Sequence, residues 1–260
     1  MTFLRSRLPR AGVLLLALAC VGSTGCITAS IVSNVQYRNS LREMEAARQR
    51  RIAALEPAAA AGDAKARFAL ANELLVGPGE DQAKLRRALA LLEQAAAQDY
   101  GPAMGRLGSI LAEGRAGNYV TLPPEVHDRE RGIVLLQRAF AHGCGSGGGT
   151  DPASSASMAL DAAGRPAQAR IWHARSVLEC PGWGPSYLLR QATAPHTDPA
   201  RRTEWTALLL LQGDTKSIAK AKETVTAEDL AAAERRAAEL QRQIAESRRD
   251  YPGPPRKERP

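Results

Sequence analysis

"RRALALLEQAAAQDYGPAMGRLG" (Arg86–Gly108) contains the end of one helical pattern and the start of another. Ala88, Leu92, Ala95 and Ala96 recur at helical spacing on one face. Further on, "ERGIVLLQRAFAHGC" (Glu130–Cys144) follows the first half nearly position by position, Arg131–Leu136 matching Arg87–Leu92 at an offset of 44. Upstream, "IAALEPAAAAGDAKA" matches "LALLEQAAAQDYGPA" at an offset of 37. Ala66–Ala71 matches Ala103–Gly108 at that same offset, as does Gly77 with Gly114. The difference between the two offsets is an insertion, "GNYVTLPPEVHD". A period of roughly 30–50 residues built from two helical patterns predicts stacked helical hairpins, a short α-solenoid. One hairpin cannot bury its own apolar face, so the pairs must stack. Alanine at the facing positions lets helix axes approach closely. Gly77 and Gly79 suit the turn between antiparallel helices.

Composition agrees with an all-α chain. Of 260 residues, 44% are hydrophobic but only 4% aromatic, so Ala and Leu supply most of the apolar surface. Sheets favour β-branched and aromatic residues, and no sustained alternation of apolar and polar residues is present. The formal charge is +8, and Arg5, Arg7 and Arg10 contribute three of those positives. Arg and Glu interleave along the remainder, which describes solvated helix faces rather than a nucleic-acid stripe. No nucleic-acid partner is expected.

The first residues read as an address. "MTFLRSRLPR" is basic without an acid, and "AGVLLLALACV" is an apolar core of signal-peptide length, short for a permanent span. The small residues of "GSTGC" follow. The arrangement resembles a bacterial lipoprotein signal, in which a small residue precedes the cysteine that becomes the lipidated first residue. Cys26 follows "STG" and leaves the apolar core whole. Cys20, the alternative, follows "ALA" and would cut that core to a few residues. Ser23 stands where such signals usually carry Leu, and ordinary cleavage or a plain transmembrane anchor are the other readings of the run. The resemblance implies a chain held on a membrane by its acyl chains, palmitate among them. More than one such chain is needed for stable anchoring. Ile27, rather than Asp, follows Cys26, which implies the outer membrane, facing the periplasm.

The repeats resemble the Sel-one-like repeat, a relative of the tetratricopeptide repeat. The resemblance lies in "AKARFALANELLVGPGEDQAKLRRALALLEQAAAQDY" and in "GPAMGRLGSILAEGRAGN" with its continuation "DRERGIVLLQRAFAHGC". The first copy has Ala71 where the family pattern has Gly after Leu, and Asp99 where the second copy has Gly143. The match covers residues 52–144. It implies a right-handed superhelix of helical hairpins and is almost silent about ligand.

A third unit is expected in "DPASSASMALDAAGRPAQARIWHARSVLEC", two short helices around Gly164, with Pro152 and Pro166 in first-turn positions. Trp172 is expected to pack as core. "DPARRTEWTALLLLQGD" gives one more apolar helix ending near Gly213. "TAEDLAAAERRAAELQRQIAESRRD" opens on a cap signature, Thr226 with Asp229, and is amphipathic through Leu230, Ala233, Ala237, Leu240 and Ile244. The expected divisions are a signal peptide at 1–25, a membrane-proximal helical spacer or cap at 26–51, Sel-one-like repeats at 52–180, C-terminal helices at 181–250, and a disordered basic tail at 251–260.

Little in the chain points to chemistry. "GCGSGGGTDP" contains a formal G-x-G-x-x-G from Gly143, but it follows a helix rather than a strand, and the dinucleotide motif needs strand, turn and helix together. Ser146 lacks a nucleophile elbow, because Cys144 stands where Gly is required. His127, His142, His173 and His196 are scattered without zinc-ligand spacing. His127 with Glu125 and Asp128 could chelate weakly, although a solvated loop is the plainer reading. No cofactor, metal or enzymatic activity is expected. After Cys26 the remaining cysteines are Cys144 and Cys180, each closing a helical hairpin. An oxidising compartment makes a bridge between them the default, with two buried thiols as the alternative. Extracytoplasmic members of the resembled family also use disulfides, with a different, intra-repeat spacing.

The expected function is a non-enzymatic envelope lipoprotein that binds an envelope or secreted protein on the groove of its repeat array. The resemblance also implies two more specific roles, periplasmic immunity against a secreted phospholipase-type antibacterial effector, and scaffolding of exopolysaccharide export or envelope maintenance. If Cys26 carries the lipid, Cys26→Ser abolishes metabolic fatty-acid labelling and releases the chain into the soluble periplasm. Retained labelling in Cys26→Ser, with loss in Cys20→Ser, would move the attachment to Cys20.

Overall fold

The computed structural model describes residues 36–76, 81–116, 120–124, 126–145, 151–180, 182 and 184–254. The expected signal at 1–25, Cys20, Cys26 and the Gly77–Gly79 turn lie outside them. The chain divides into two compact units, Met1–Ala54 and Leu55–Pro260. The described part of the first, residues 36–54, belongs to helix α1 (residues 36–60) and leaves Tyr37, Leu41 and Met44 exposed.

The second unit is all-α apart from one small β-hairpin among its described residues. After α1 come α2 (Ala64–Leu75), α3 (Gln82–Ala96) and α4 (Gly101–Glu113). Two-residue strands β1 (Arg115–Ala116) and β2 (Val120–Thr121) then pair antiparallel. The remaining helices are α5 (Arg129–Phe140), α6 (Pro152–Ala162), α7 (Pro166–Glu179), α8 (Pro185–Thr193), α9 (Pro199–Gln212), α10 (Thr215–Lys222) and α11 (Ala227–Asp250). Adjacent helices pack as pairs, α2 on α3, α4 on α5, α6 on α7 and α8 on α9, while α3 meets α4 and α5 meets α6.

Local chemistry starts these helices. Asp63, Asp81, Asp128, Asp151, Asp198 and Asp214 each accept a backbone N–H of the helix they precede, and Thr226 does the same for α11. Such a cap contributes about 1 kcal/mol. Pro152 and Pro166 occupy the first positions of α6 and α7. The chain leaves one pair for the next through a left-handed residue: Gly62 at φ 102°, Asp99 at φ 61° and Gly143 at φ 130°. Asp99 therefore adopts the conformation that its glycine counterparts adopt more easily.

The two copies read from the sequence repeat their contacts as well as their pattern. Arg87 on α3 pairs with Glu56 at 2.6 Å, and Arg131 on α5, its counterpart, pairs with Glu93, the counterpart of Glu56. Gln98 donates to the Gly62 carbonyl at 3.1 Å, while His142 reaches the Asp99 carboxylate at 3.4 Å from the equivalent place.

The α4–α5 pair crosses with almost no side chain between the backbones. A methyl group on Gly132 would lie 2.5 Å from the Ala112 nitrogen and 2.7 Å from the Gly108 carbonyl oxygen. One on Gly108 would lie 2.9 Å from the Gly132 oxygen. In the first copy the same two positions are Ala71 and Ala88, both fully buried.

Helix α7 joins two apolar clusters. Ala169, Trp172 and Cys180 face a cluster with Phe140, Ala156 and Leu160. Ala174 and Val177 face another with Leu188, Leu208, Ala233 and Leu240. Arg175 lies between the two faces, 0% exposed. Its guanidinium sits 4.9 Å from the Phe140 ring centre and 4.6 Å from that of Trp172, and it bonds Glu179 at 3.1 Å and the Ser247 hydroxyl of α11 at 3.0 Å. Burial lowers the pKa of Arg175, opposed by Glu179. Cys144 and Cys180 are joined by a disulfide that spans 36 residues. Loop-closure entropy for that span is worth about 4 kcal/mol.

The structure differs from the sequence reading in three places. Helices α8 and α10 were not anticipated as separate elements within 181–250, because each is short and follows a proline- or glycine-containing break. The insertion holds β2, which pairs with β1 just ahead of it, and both strands are too short to leave an alternating pattern. The tail expected from residue 251 begins later: Tyr251 packs edge-on to Trp172, ring centres 5.7 Å apart, and Gly253 lies against the Glu179 carboxylate. Aromatic burial holds these residues, which composition alone assigned to the tail. Residues 255–260 lie outside the described residues.

Gly132→Ala tests the crossing. Alanine adds about 1 kcal/mol of helix propensity, but a backbone clash has no rotamer to relieve it and overpacking costs about 1–3 kcal/mol. The chemical denaturation midpoint should fall. A midpoint unchanged or raised would show that α4 and α5 separate without cost.

Candidate functional site

Helices α4 and α6 face each other across a cavity of about 360 Å³. From α4 come Ser109, Ala112 and Glu113; from α6 come Ser155, Met158, Ala159 and Ala162. The spacing in each set keeps it on one helix face. Leu136 of α5 contributes an apolar wall, and Arg115 and Arg129 add two cations. The cavity exists because the facing residues are small. Serine and alanine cannot span the gap that α5 sets between its neighbours. The volume is at the lower end of the roughly 300–1,000 Å³ of small-molecule pockets.

Two polar groups in the lining are buried without a hydrogen-bond partner. One is the Ser109 hydroxyl, on a residue 9% exposed, and the other is the Arg129 Nε. Arg129 is the first residue of α5, and its Nη1 donates to the Ala162 carbonyl at the end of α6 at 3.2 Å. That contact places a cation at the negative end of a helix dipole and orients the guanidinium edge. Arg106, one turn before Ser109 on α4, also buries an Nε that has no partner. Burial lowers the Arg106 pKa, and Glu113 acts in the opposite direction. Met158 stands at the rim, 56% exposed.

The residues considered from the sequence fall elsewhere. Cys26 and Cys20 lie outside the described residues, as do Glu125 and Ser146. Cys144 and Cys180 form the disulfide at the far ends of α5 and α7. Asp128 caps α5 by accepting the Arg131 N–H, and the His127 ring packs flat on Gly114. Among the described residues, no group of three or more His, Cys, Asp or Glu is placed to hold a metal ion. His173 is half-buried and edge-on to Trp205, and desolvation lowers its pKa against the opposing pull of Glu204 and Asp151. Trp172 is core, 3% exposed. No helix among the described residues is long and apolar enough to cross a membrane.

Sequence reading missed Ser109, Arg129, Ser155 and Met158. A signal was available for α4, where Arg106 and Ser109 replace Ala69 and Asn72 of the first copy at the same register. A charge in place of a repeat alanine marks a face that has stopped being merely structural. Comparisons with protein-family models, with curated proteins and with solved structures return no match.

An unpartnered buried hydroxyl costs about 1–3 kcal/mol. Ser109→Ala should therefore leave the melting temperature unchanged or raise it, since nothing inside the protein uses that oxygen. A clear drop in melting temperature would reveal an internal partner and remove Ser109 from the site.

Proposed function

We propose that this chain is a non-enzymatic, lipid-anchored envelope protein that binds another protein along the α4–α6 face of a helical repeat array. In this reading the hairpins form a short Sel-one-like solenoid capped by its terminal helices, and Cys26 carries the anchor. The matched pairs Arg87–Glu56 and Arg131–Glu93 support the repeat assignment. The observation that carries the binding role is the cavity between α4 and α6, lined by Ser109, Glu113, Ser155, Arg115 and Arg129 among others. Repeat arrays position such faces on a rigid frame and recognise partners through them. Loops on a rigid scaffold carry further contacts, so the insertion Asn118–Asp128 and the Gly145–Thr150 loop belong to the same reading.

The test is affinity capture from envelope extract with the Cys26→Ser chain. Deleting Asn118–Asp128 should weaken capture of the partner while helicity by circular dichroism is retained. His173→Gln should not alter capture. Stoichiometric recovery of a phospholipase-type toxin would favour immunity, whereas export or envelope-maintenance components would favour the scaffold. If the deletion leaves capture intact and His173→Gln abolishes function in a folded protein, the groove reading is wrong.

A further inference from the structure

We propose that the first turns of α1 form a membrane-docking face, which lies on a surface of anionic lipid. The inference rests on the anchor part of the reading above and adds to it a second, non-covalent contact with the same membrane.

Among the described residues six large apolar side chains are exposed, and three of them are Tyr37, Leu41 and Met44, at 64%, 45% and 67%. Their i, i+4, i+7 spacing stacks them on one face of α1. Single exposed apolar residues are ordinary, but a contiguous group marks a contact surface. The next residues on the same spacing decide the occupant. They are Arg48 and Arg51, so the stripe ends after three residues. A helical seam with a second copy needs three or four heptads of apolar residues. Charge points to lipid instead. Residues 36–54 carry five arginines against two glutamates, a net +3. Arg38 and Arg42 are exposed and each follows an apolar residue of the stripe, so they line its border. Glu45, the acid nearest the stripe, is held within the helix by Arg48 at 2.7 Å and Gln49 at 2.8 Å. A tyrosine suits the boundary between acyl chains and headgroups. Arginine stems cover apolar surface there while their guanidinium groups reach the phosphates. This is the make-up of a helix lying in the plane of an interface. The tether agrees. Gln36 follows Cys26 by ten residues, at most about 35 Å of extended chain. A lipid on Cys26 therefore keeps the face within reach of the surface, where a weak contact suffices.

The experiment places an environment-sensitive fluorescent amino acid at Met44, on the stripe, or at Ala46, exposed two residues on and so on the opposite side of the helix. The full chain as produced in cells is reconstituted with vesicles of phosphatidylcholine alone or of phosphatidylcholine with phosphatidylglycerol. A nitroxide lipid in the vesicles reports contact by quenching. With phosphatidylglycerol present, emission from position 44 should shift to the blue and be quenched, while position 46 stays unmoved. Arg38→Gln together with Arg42→Gln should lower the ratio of docked to undocked helix about 25-fold, a factor of about five for each basic residue near an anionic surface. Leu41→Gln, which leaves the charge unchanged, should abolish the shift. These side chains are exposed, so the variants keep the fold. If the chain floats with both kinds of vesicle while positions 44 and 46 respond alike, the docking face is overturned and the anchor stands. If the chain floats only with the anionic vesicles and position 44 is quenched, the docking face stands and the anchor reading fails. A blue shift at position 44 without quenching would assign the stripe to a protein and overturn the proposal. Equal quenching there in both kinds of vesicle would overturn the assignment to anionic lipid.

Discussion

At the crossing of α4 and α5, Gly108 and Gly132 bring two helical backbones to a distance that admits no methyl group on Gly132. The rest of the central region follows from that approach. With α5 held so close beneath α4, the next hairpin is drawn in against both, and α6 comes to lie beside α4. The first copy has Ala71 and Ala88 at the same two places, both fully buried in the α2–α3 pair. Small residues at a few positions thus set hairpin geometry, and hairpin geometry sets which side chains face the cavity.

A second constraint acts at α7, which must serve two apolar clusters at once. Arg175 is a costly residue for that position. A buried guanidinium is tolerated only when its charge and donors are matched, and here two aromatic faces, Glu179 and Ser247 supply the match. Arg248 adds a second contact to Glu179 at 3.2 Å. These bonds fasten the end of α11 to α7, while the disulfide fastens the end of α5 to the same helix. Loss of one partner from such a cluster leaves an uncompensated buried charge, a defect worth about 3–5 kcal/mol.

The legible part of the fold was whatever repeats or carries several helical turns, including α6, α7, α9 and α11. Matching Leu, Ala and Arg positions predicted helices α2 to α5 and their pairing, and helical spacing in Ala233, Ala237, Leu240 and Ile244 marked the buried side of α11. Short elements carried too few turns to be read, as with α8 and α10. Long-range contacts were illegible for another reason. Nothing around Tyr251 tells of Trp172, and nothing local to Arg175 tells of Ser247, because each pairing depends on how distant hairpins come together. The candidate site shares that difficulty. Ser109, Arg129 and Ser155 look like ordinary helix-surface residues until α6 is placed beside α4, and only the replacement of Ala69 by Arg106 between copies hinted at a specialised face.

The functional account joins these levels: close crossings build hairpins, hairpins hold α4 beside α6, and the face between them carries the cavity proposed to bind. Site-specific photo-crosslinking tests that claim most directly. A benzophenone amino acid at Met158, on the cavity rim, is compared in cells with one at Val134, exposed on α5 and outside the cavity lining. The account predicts a discrete protein adduct from Met158 and none from Val134. Equal adducts from both positions, or none from Met158 while the chain is folded and in place, would contradict it.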